Sequence, residues 1–182
     1  MIGEVHCHTN LSLPSWAHRN LVTPKEMVDH AINLGLDFLA ITDHDNQDAF
    51  PKINYYARQN GLLLLPAIEV TAKNSPMPNK RPHILAYGVP DKIHSRKSIA
   101  ETIEKIHEQG GIAVAAHPFG IKFSKATYIG AESLLKNDFD GIEVYNSYED
   151  DKANHQAYDI AQQKKCLMFA GSDAHSKDHV GL

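Results

Sequence analysis

Apolar residues recur along this chain at two alternating spacings, one helical and one extended. Thr23 offers an N-cap ahead of Pro24 at the first helical position and Glu26 at the third, and Met27, Val28, Ala31, Ile32 and Leu34 follow as far as Gly35. That combination predicts a helix with one apolar side. The same spacing runs through Ile53, Tyr56 and Ala57 to a stop at Gly61, and through Ile99, Ile103 and Ile106 to a stop at Gly110. Shorter helices are expected over 131–137 and 152–164. Between them lie apolar runs too short for helices, at 2–8, 38–42, 62–70, 84–89, 112–116, 141–145 and 166–170. These read as buried strands.

Strands alternating with helices predict parallel β/α units, and continuous apolar runs suit strands covered on both faces. A barrel and a doubly wound sheet both satisfy that pattern. The segment 73–82 holds three prolines and predicts a loop. No repeat or composition shift marks a boundary, so one domain over 1–182 is expected.

Composition narrows the class. The chain is 42% hydrophobic and 22% charged, ordinary globular values, and its formal charge of -4 carries no basic excess for holding nucleic acid nonspecifically. Two cysteines far apart, and an opening without a basic-then-apolar signal, predict a reduced, cytoplasmic setting with no membrane segment. The outlier is histidine, 12 of 182 residues.

The ionisable residues collect beside the strands. His6 and His8 close the first; Asp43, His44 and Asp45 follow the second; Glu69 lies near the end of the third; His83 opens the fourth. His117 follows the fifth, Glu143 lies in the sixth, and Asp173 and His175 follow the seventh. In parallel β/α folds the carboxyl ends of the strands share the face that carries the site. His83, at a strand start, joins them only if its strand runs against its neighbours or begins earlier than its hydrophobicity shows. Alternation puts His6 and His8 on one face with Cys7 on the other, and pairs Asp173 with His175 in the same way. Imidazole and carboxylate suit Zn, Mn or Fe alike, and the lack of a cysteine cluster argues against a thiolate zinc site. His30, His94, His107, His155 and His179 read as surface residues without a metal role. Glu143 reads equally as a ligand or as a group orienting one.

Taken together, His6-Cys7-His8-Thr9, Ile41-Thr42-Asp43-His44-Asp45, Ile68-Glu69-Val70, Pro82-His83, Ala116-His117-Pro118, Gly141-Ile142-Glu143-Val144-Tyr145-Asn146 and Gly171-Ser172-Asp173-Ala174-His175 resemble the PHP domain family, named for polymerase and histidinol phosphatase. The resemblance implies an α/β fold, a distorted seven-stranded (β/α) TIM-like barrel. It also implies two or three divalent ions that activate a hydroxide for hydrolysis of phosphate esters. Carried over by motif, His6, His8, Glu69 and Asp173 would hold one ion, Glu69, His83 and His117 a second, and His44 and His175 a third. The residues implied to carry catalysis are His6, His8, Glu69, His117 and Asp173, with Asp43 a further possible ligand. Two departures stand out. Leu13 and Pro14 occupy positions where many members place an acid or histidine for the third ion, so that His18 is the substitute on that loop. The sequence also stops seven residues after His175, without the closing helix expected of such barrels.

Loop cations supply candidate phosphate contacts: Arg19, Lys80, Arg81 and Lys122, with Lys73 and Lys125 nearby. No aromatic-rich basic stripe is present, which favours a phosphorylated small molecule, nucleotide or short oligonucleotide over long nucleic acid. An amidohydrolase, whose barrel family also opens with H-x-H, and a non-catalytic metal-binding subunit of a nucleic-acid enzyme are the alternatives.

Overall fold

The computed structural model describes residues 1–13, 22–73, 79–120 and 126–181. The first half runs β1 (Gly3–Cys7), α1 (Pro24–Asn33), β2 (Phe38–Ile41), α2 (Ala49–Gln59) and β3 (Leu63–Leu65). The second runs β4 (Ala67–Thr71), β5 (His83–Tyr87), α3 (Ile99–His107), β6 (Ile112–Ala115), α4 (Ala131–Lys136), β7 (Gly141–Asn146), α5 (Asp151–Lys164) and β8 (Leu167–Gly171), then a 3₁₀ turn at Lys177–His179. The expected cap of α1 forms: Glu26 donates its backbone N–H to Thr23 Oγ1 and accepts the Thr23 N–H on its carboxylate. Ser98 and Glu101 repeat this box on α3. Each such cap satisfies amides that a helix start leaves without partners.

The strands form two sheets, β1-β2-β3 and β4-β5-β6-β7-β8. The apolar run over 62–70 is therefore two strands rather than one. Pro66 separates them, and with no N–H to give to a ladder it sends β3 to β2 and β4 to β5. The sheets meet at two seams through single bridge pairs, Cys7 with Ala174 and His44 with Glu69. A continuously hydrogen-bonded seven-stranded barrel is thus not what the described residues form. They make an eight-stranded α/β arrangement whose wall is interrupted at the Pro66 corner and between β1 and β8.

Parallel pairing holds within the first sheet and from β6 to β8, whereas β5 is antiparallel to both β4 and β6. That reversal satisfies the condition set by His83, since the start of β5 lies beside the end of β4, with Thr71 opposite His83.

Helices cover the outer faces. Met27, Val28, Ala31, Ile53 and Ala57 pack with Leu39, Ile41 and Leu64, and Ile99, Ile103, Ile106, Ala157 and Ile160 pack with Ile68, Ile84, Ala113 and Ile142. A third cluster draws on both sheets: Ala40, Ala67, Leu85, Tyr87, Val114 and Ala116, with Val5, Leu65 and Phe169 against them. Its Tyr87 and Phe169 rings stack 5.6 Å apart, and the Tyr87 hydroxyl donates to the Val5 carbonyl at 2.8 Å. This apolar layer is the floor on which the polar site rests. No helix among the described residues is long and apolar enough to cross a membrane.

Candidate metal centre

Two irregular strands aim the site. In β1 the register slips between Glu4 and Cys7, a bulge that bends the strand and frees amides from the ladder. Buried Glu4 collects those amides: its Oε1 accepts the N–H groups of Val5, His6 and, across the seam, Ser172. In β7 the register slips between Glu143 and Tyr145, so Glu143 points inward while Tyr145 is exposed. Gly171, at the end of β8, lies against His6 of β1 and Glu143 of β7. A Cβ there would sit 2.6 Å from His6 Cβ and 2.7 Å from Glu143 Oε1, so only glycine fits.

Glu69, buried near the middle of β4, is the hub. One or other of its oxygens lies 3.5 Å from His6 Nε2, 3.4 Å from His8 Nε2, 2.7 Å from His44 Nδ1, 3.0 Å from His83 Nδ1 and 3.0 Å from His117 Nε2. Asp173 faces it, with Oδ1 3.0 Å from His8 Nε2 and 3.3 Å from His6 Nε2. His175 joins through ring contacts, its centroid 4.4 Å from that of His8, and its Nδ1 bonds the Asp173 carbonyl at 2.8 Å. All eight expected ligands therefore converge. His117 and Asp173 hold positive φ, 26° and 53°, and so does Asp45 at 49°. Such backbone costs roughly 1–3 kcal/mol and concentrates at functional sites.

Ligand atoms cluster within 4.8 Å as His6, His117 and Asp173; as His6, His8 and Glu69; as His44, Glu69 and His83; and as His8, His44 and His175. The groups overlap, and Glu69 Oε1 lies 3.0 Å from both His117 Nε2 and His83 Nδ1.

Behind the ligands stand carboxylates that orient them. Glu143 Oε1 bonds His6 Nδ1 at 2.8 Å, leaving Nε2 to face the centre, and Glu143 Oε2 accepts the His117 backbone N–H at 2.7 Å and the Asn146 Nδ2 N–H at 3.0 Å. Asp43 also stands behind rather than among the ligands: its oxygens accept from the Thr9 amide and hydroxyl and from the Ser12 hydroxyl. Ser12 in turn accepts the His44 N–H at 3.2 Å. Sequence reading assigned no role to Glu4, Thr9, Ser12 or Asn146. The available signal was period-two polarity, since Glu4, His6 and His8 share one face of an otherwise apolar strand. Lys80 and Arg81 lie on the approach to β5, with the Arg81 N–H on the Ala126 carbonyl. His18, Arg19, Lys122 and Lys125 fall outside the described residues, as does Pro14.

The charge balance shows what this arrangement needs. Burial opposes charge on every group, yet the Asp173, Glu143 and Glu69 carboxylates raise the His6 imidazole well above its ordinary pKa. Against the same burial, a hydrogen bond and the charge of Glu69 raise His117 to about 9. Burial and the neighbouring His44 and His175 hold His8 well below the ordinary value. Despite their own burial, Glu69 and Asp173 stay ionised far into acid because imidazolium groups surround them. Without a cation, protons supply the positive charge.

Geometry points the same way. Buried His6 Nε2 makes no hydrogen bond although carboxylate oxygens stand 3.3 and 3.5 Å away, and His83 Nδ1 makes none with Glu69 3.0 Å away. A buried polar atom left unbonded at such range is costly unless something between the groups satisfies it. The lone pairs converge on shared space, and the donor set of nitrogen and oxygen with no thiolate fits Zn, Mn or Fe.

The sequence profile described as PHP domain matches residues 4–164, and one described as PHP-associated matches 151–182. An uncharacterized protein of Methanocaldococcus jannaschii is 28% identical over 156 residues, which is 83% of this chain and 85% of that protein. Among solved structures, an amidohydrolase from Chromobacterium violaceum superposes with a TM-score of 0.80 at 18% identity, covering 100% of this chain and 90% of the other. A candidate metal-dependent phosphoesterase from Bifidobacterium adolescentis superposes at 0.78 and 20% identity, covering 96% and 88%. At such identities the two structures attest the fold. With the profile spanning most of its length and the motif residues meeting in one centre, the chain belongs to the PHP domain family.

Proposed function

We propose that this chain is a metal-dependent phosphoesterase, a single catalytic domain hydrolysing phosphate esters of a small metabolite, a nucleotide or a short oligonucleotide. The observation that carries this reading is Glu69 among five imidazoles and Asp173, in buried space that leaves ligand atoms unbonded. His6, His8, His44, Glu69, His83, His117, Asp173 and His175 hold two or three divalent ions. Bound there, the ions supply Lewis acidity toward phosphoryl oxygens and a lowered pKa for water. Glu143 fixes the His6 tautomer through Nδ1, and Asp43 positions the Thr9–Ser12 turn that supports His44. Unpaired Cys7 and Cys166 suit a reducing cytoplasm.

The test is phosphate release from nucleoside monophosphates, sugar phosphates and short oligonucleotides by metal-stripped protein, with and without Mn. Release that requires Mn establishes the activity and sorts its substrate. Silence across the panel in protein that binds metal, with turnover of a cyclic amide, makes it an amidohydrolase, the activity borne by the Chromobacterium neighbour's name. Silence toward both makes it an accessory subunit.

A further inference from the structure

The strands β1 and β8 end different sheets, and between these two segments the described residues form one bridge pair, Cys7 with Ala174. The His8 N–H adds a bond to the Ala174 carbonyl at 2.8 Å. Yet residues of the centre meet across this seam, with Asp173 Oδ1 3.0 Å from His8 Nε2 and 3.3 Å from His6 Nε2. A ladder of backbone bonds ordinarily fixes the spacing of side chains on neighbouring strands. Here the ladder is a single rung, and Asp173 is held at a φ of 53°, which needs restraint from its surroundings.

Glu4 supplies the missing restraint. Its side chain is 4% exposed, and its Oε1 accepts the N–H groups of Val5 at 2.9 Å and His6 at 2.8 Å from its own strand, and of Ser172 at 3.2 Å from across the seam. Its Oε2 accepts the Gly181 N–H at 3.2 Å. One of these amides belongs to His6, and another to the residue before Asp173. The same two segments meet again where Ser172 Oγ donates to the His6 carbonyl at 3.4 Å. A carboxylate suits the position because it only accepts, with about four lone-pair sites for these donors. A side-chain amide of the same shape turns an NH2 group toward at least one of them, and donors then face each other in a buried place. The bonds of Glu4 run to the main chain, so its influence on the centre passes through the backbone of the residues that line it.

We propose that Glu4 is a positioning residue of the metal centre: by holding the His6 and Ser172 amides on one oxygen, it sets the separation of His6 and Asp173 and so the affinity and coordination geometry of the ion bound between them. The inference rests on the metal-binding part of the reading above, not on which ester is hydrolysed.

The test titrates metal-stripped protein with Co(II), whose visible absorption reports coordination geometry, and needs no turnover. In Glu4→Gln the affinity is expected to fall about 10–100-fold, as for other groups that orient ligands from behind, and the absorption band to change shape. Ile103→Ala, which opens a void in the outer core beneath α3, lowers Tm without touching these bonds and should keep the wild-type affinity and band. An unchanged band and affinity in Glu4→Gln, or an equal loss in Ile103→Ala, overturns the positioning role while the metal-centre reading stands. A wild type that takes up no Co(II) overturns both. Amide exchange of the wild type covers the case in which Glu4→Gln does not fold. Amides that share one acceptor are released by one opening, so Co(II) at about 100 times its Kd should slow exchange of the Val5, His6 and Ser172 amides by a common factor of about a hundred. Slowing that differs among the three, or is absent, overturns the proposal.

Discussion

Two layers of one interior, built from the same strands, have opposite chemistry. The floor is Ala40, Ala67, Leu85, Tyr87, Val114 and Ala116, fully apolar apart from the Tyr87 hydroxyl, which is satisfied by Val5. One step of two residues along β4 leads from Ala67 to Glu69, and one step along β5 from Leu85 to His83. Floor side chains meet the expectation that buried groups are apolar and close-packed. The layer above violates it with eight ionisable groups, and that violation is where function is to be sought. Stability belongs to the floor and chemistry to the layer above it.

The largest effect expected from this division is on turnover. His117→Ala should lower Mn-dependent phosphate release about a thousandfold or more while the circular dichroism spectrum stays native, because a ligand is lost and the floor is untouched. Loss of the fold would show that the layers are not separable. Leu85→Ala is the converse, removing a fully buried floor side chain at a cost of about 3 kcal/mol and so lowering Tm by roughly 10 °C. Its metal affinity at 25 °C should match the wild type; a large loss would mean the floor shapes the centre directly. Glu143→Gln sharpens the boundary between ligand and support. It should weaken Mn binding by about 10–100-fold, as expected of a group that orients a ligand, and a complete loss would make Glu143 a ligand itself.

The smallest effect is on pH. His117 in the metal-stripped protein is raised from 6.5 to about 9. A raised pKa contributes stability that is fully present below about 6.5 and lost as pH climbs toward 9. Depressed His8 acts in the other direction, withdrawing stability as pH falls below the ordinary histidine range. The stripped protein should therefore show a falling Tm between pH 6.5 and 9, and Mn, which displaces the protons, should flatten that limb. An equally steep limb with Mn bound would contradict the assignment.

Most helices and the positions of most strands were legible in the sequence, because caps and periodicity are local. Thr23, Pro24 and Glu26 announced α1, and the position of His83 left a reversed strand or an earlier strand start, of which β5 takes the first. The break at Pro66 was written in the sequence but hidden inside an apolar run. The bulges in β1 and β7 were not legible, since a register slip depends on the partner strand. The eight residues that converge on the centre were readable from their places beside strands. Their separations were not, because distances between side chains on different strands follow from those same bulges.

The His8 to Asp173 contact spans 165 residues of chain. Closing so long a loop carries an entropic cost that local helices and neighbouring strands do not face, which puts this contact among the last to form. Interactions absent from the folding transition state act on the rate of unfolding rather than of folding. Metal bound there would therefore act as a kinetic latch between the first and last strands, prolonging the lifetime of the folded chain without changing the speed of folding.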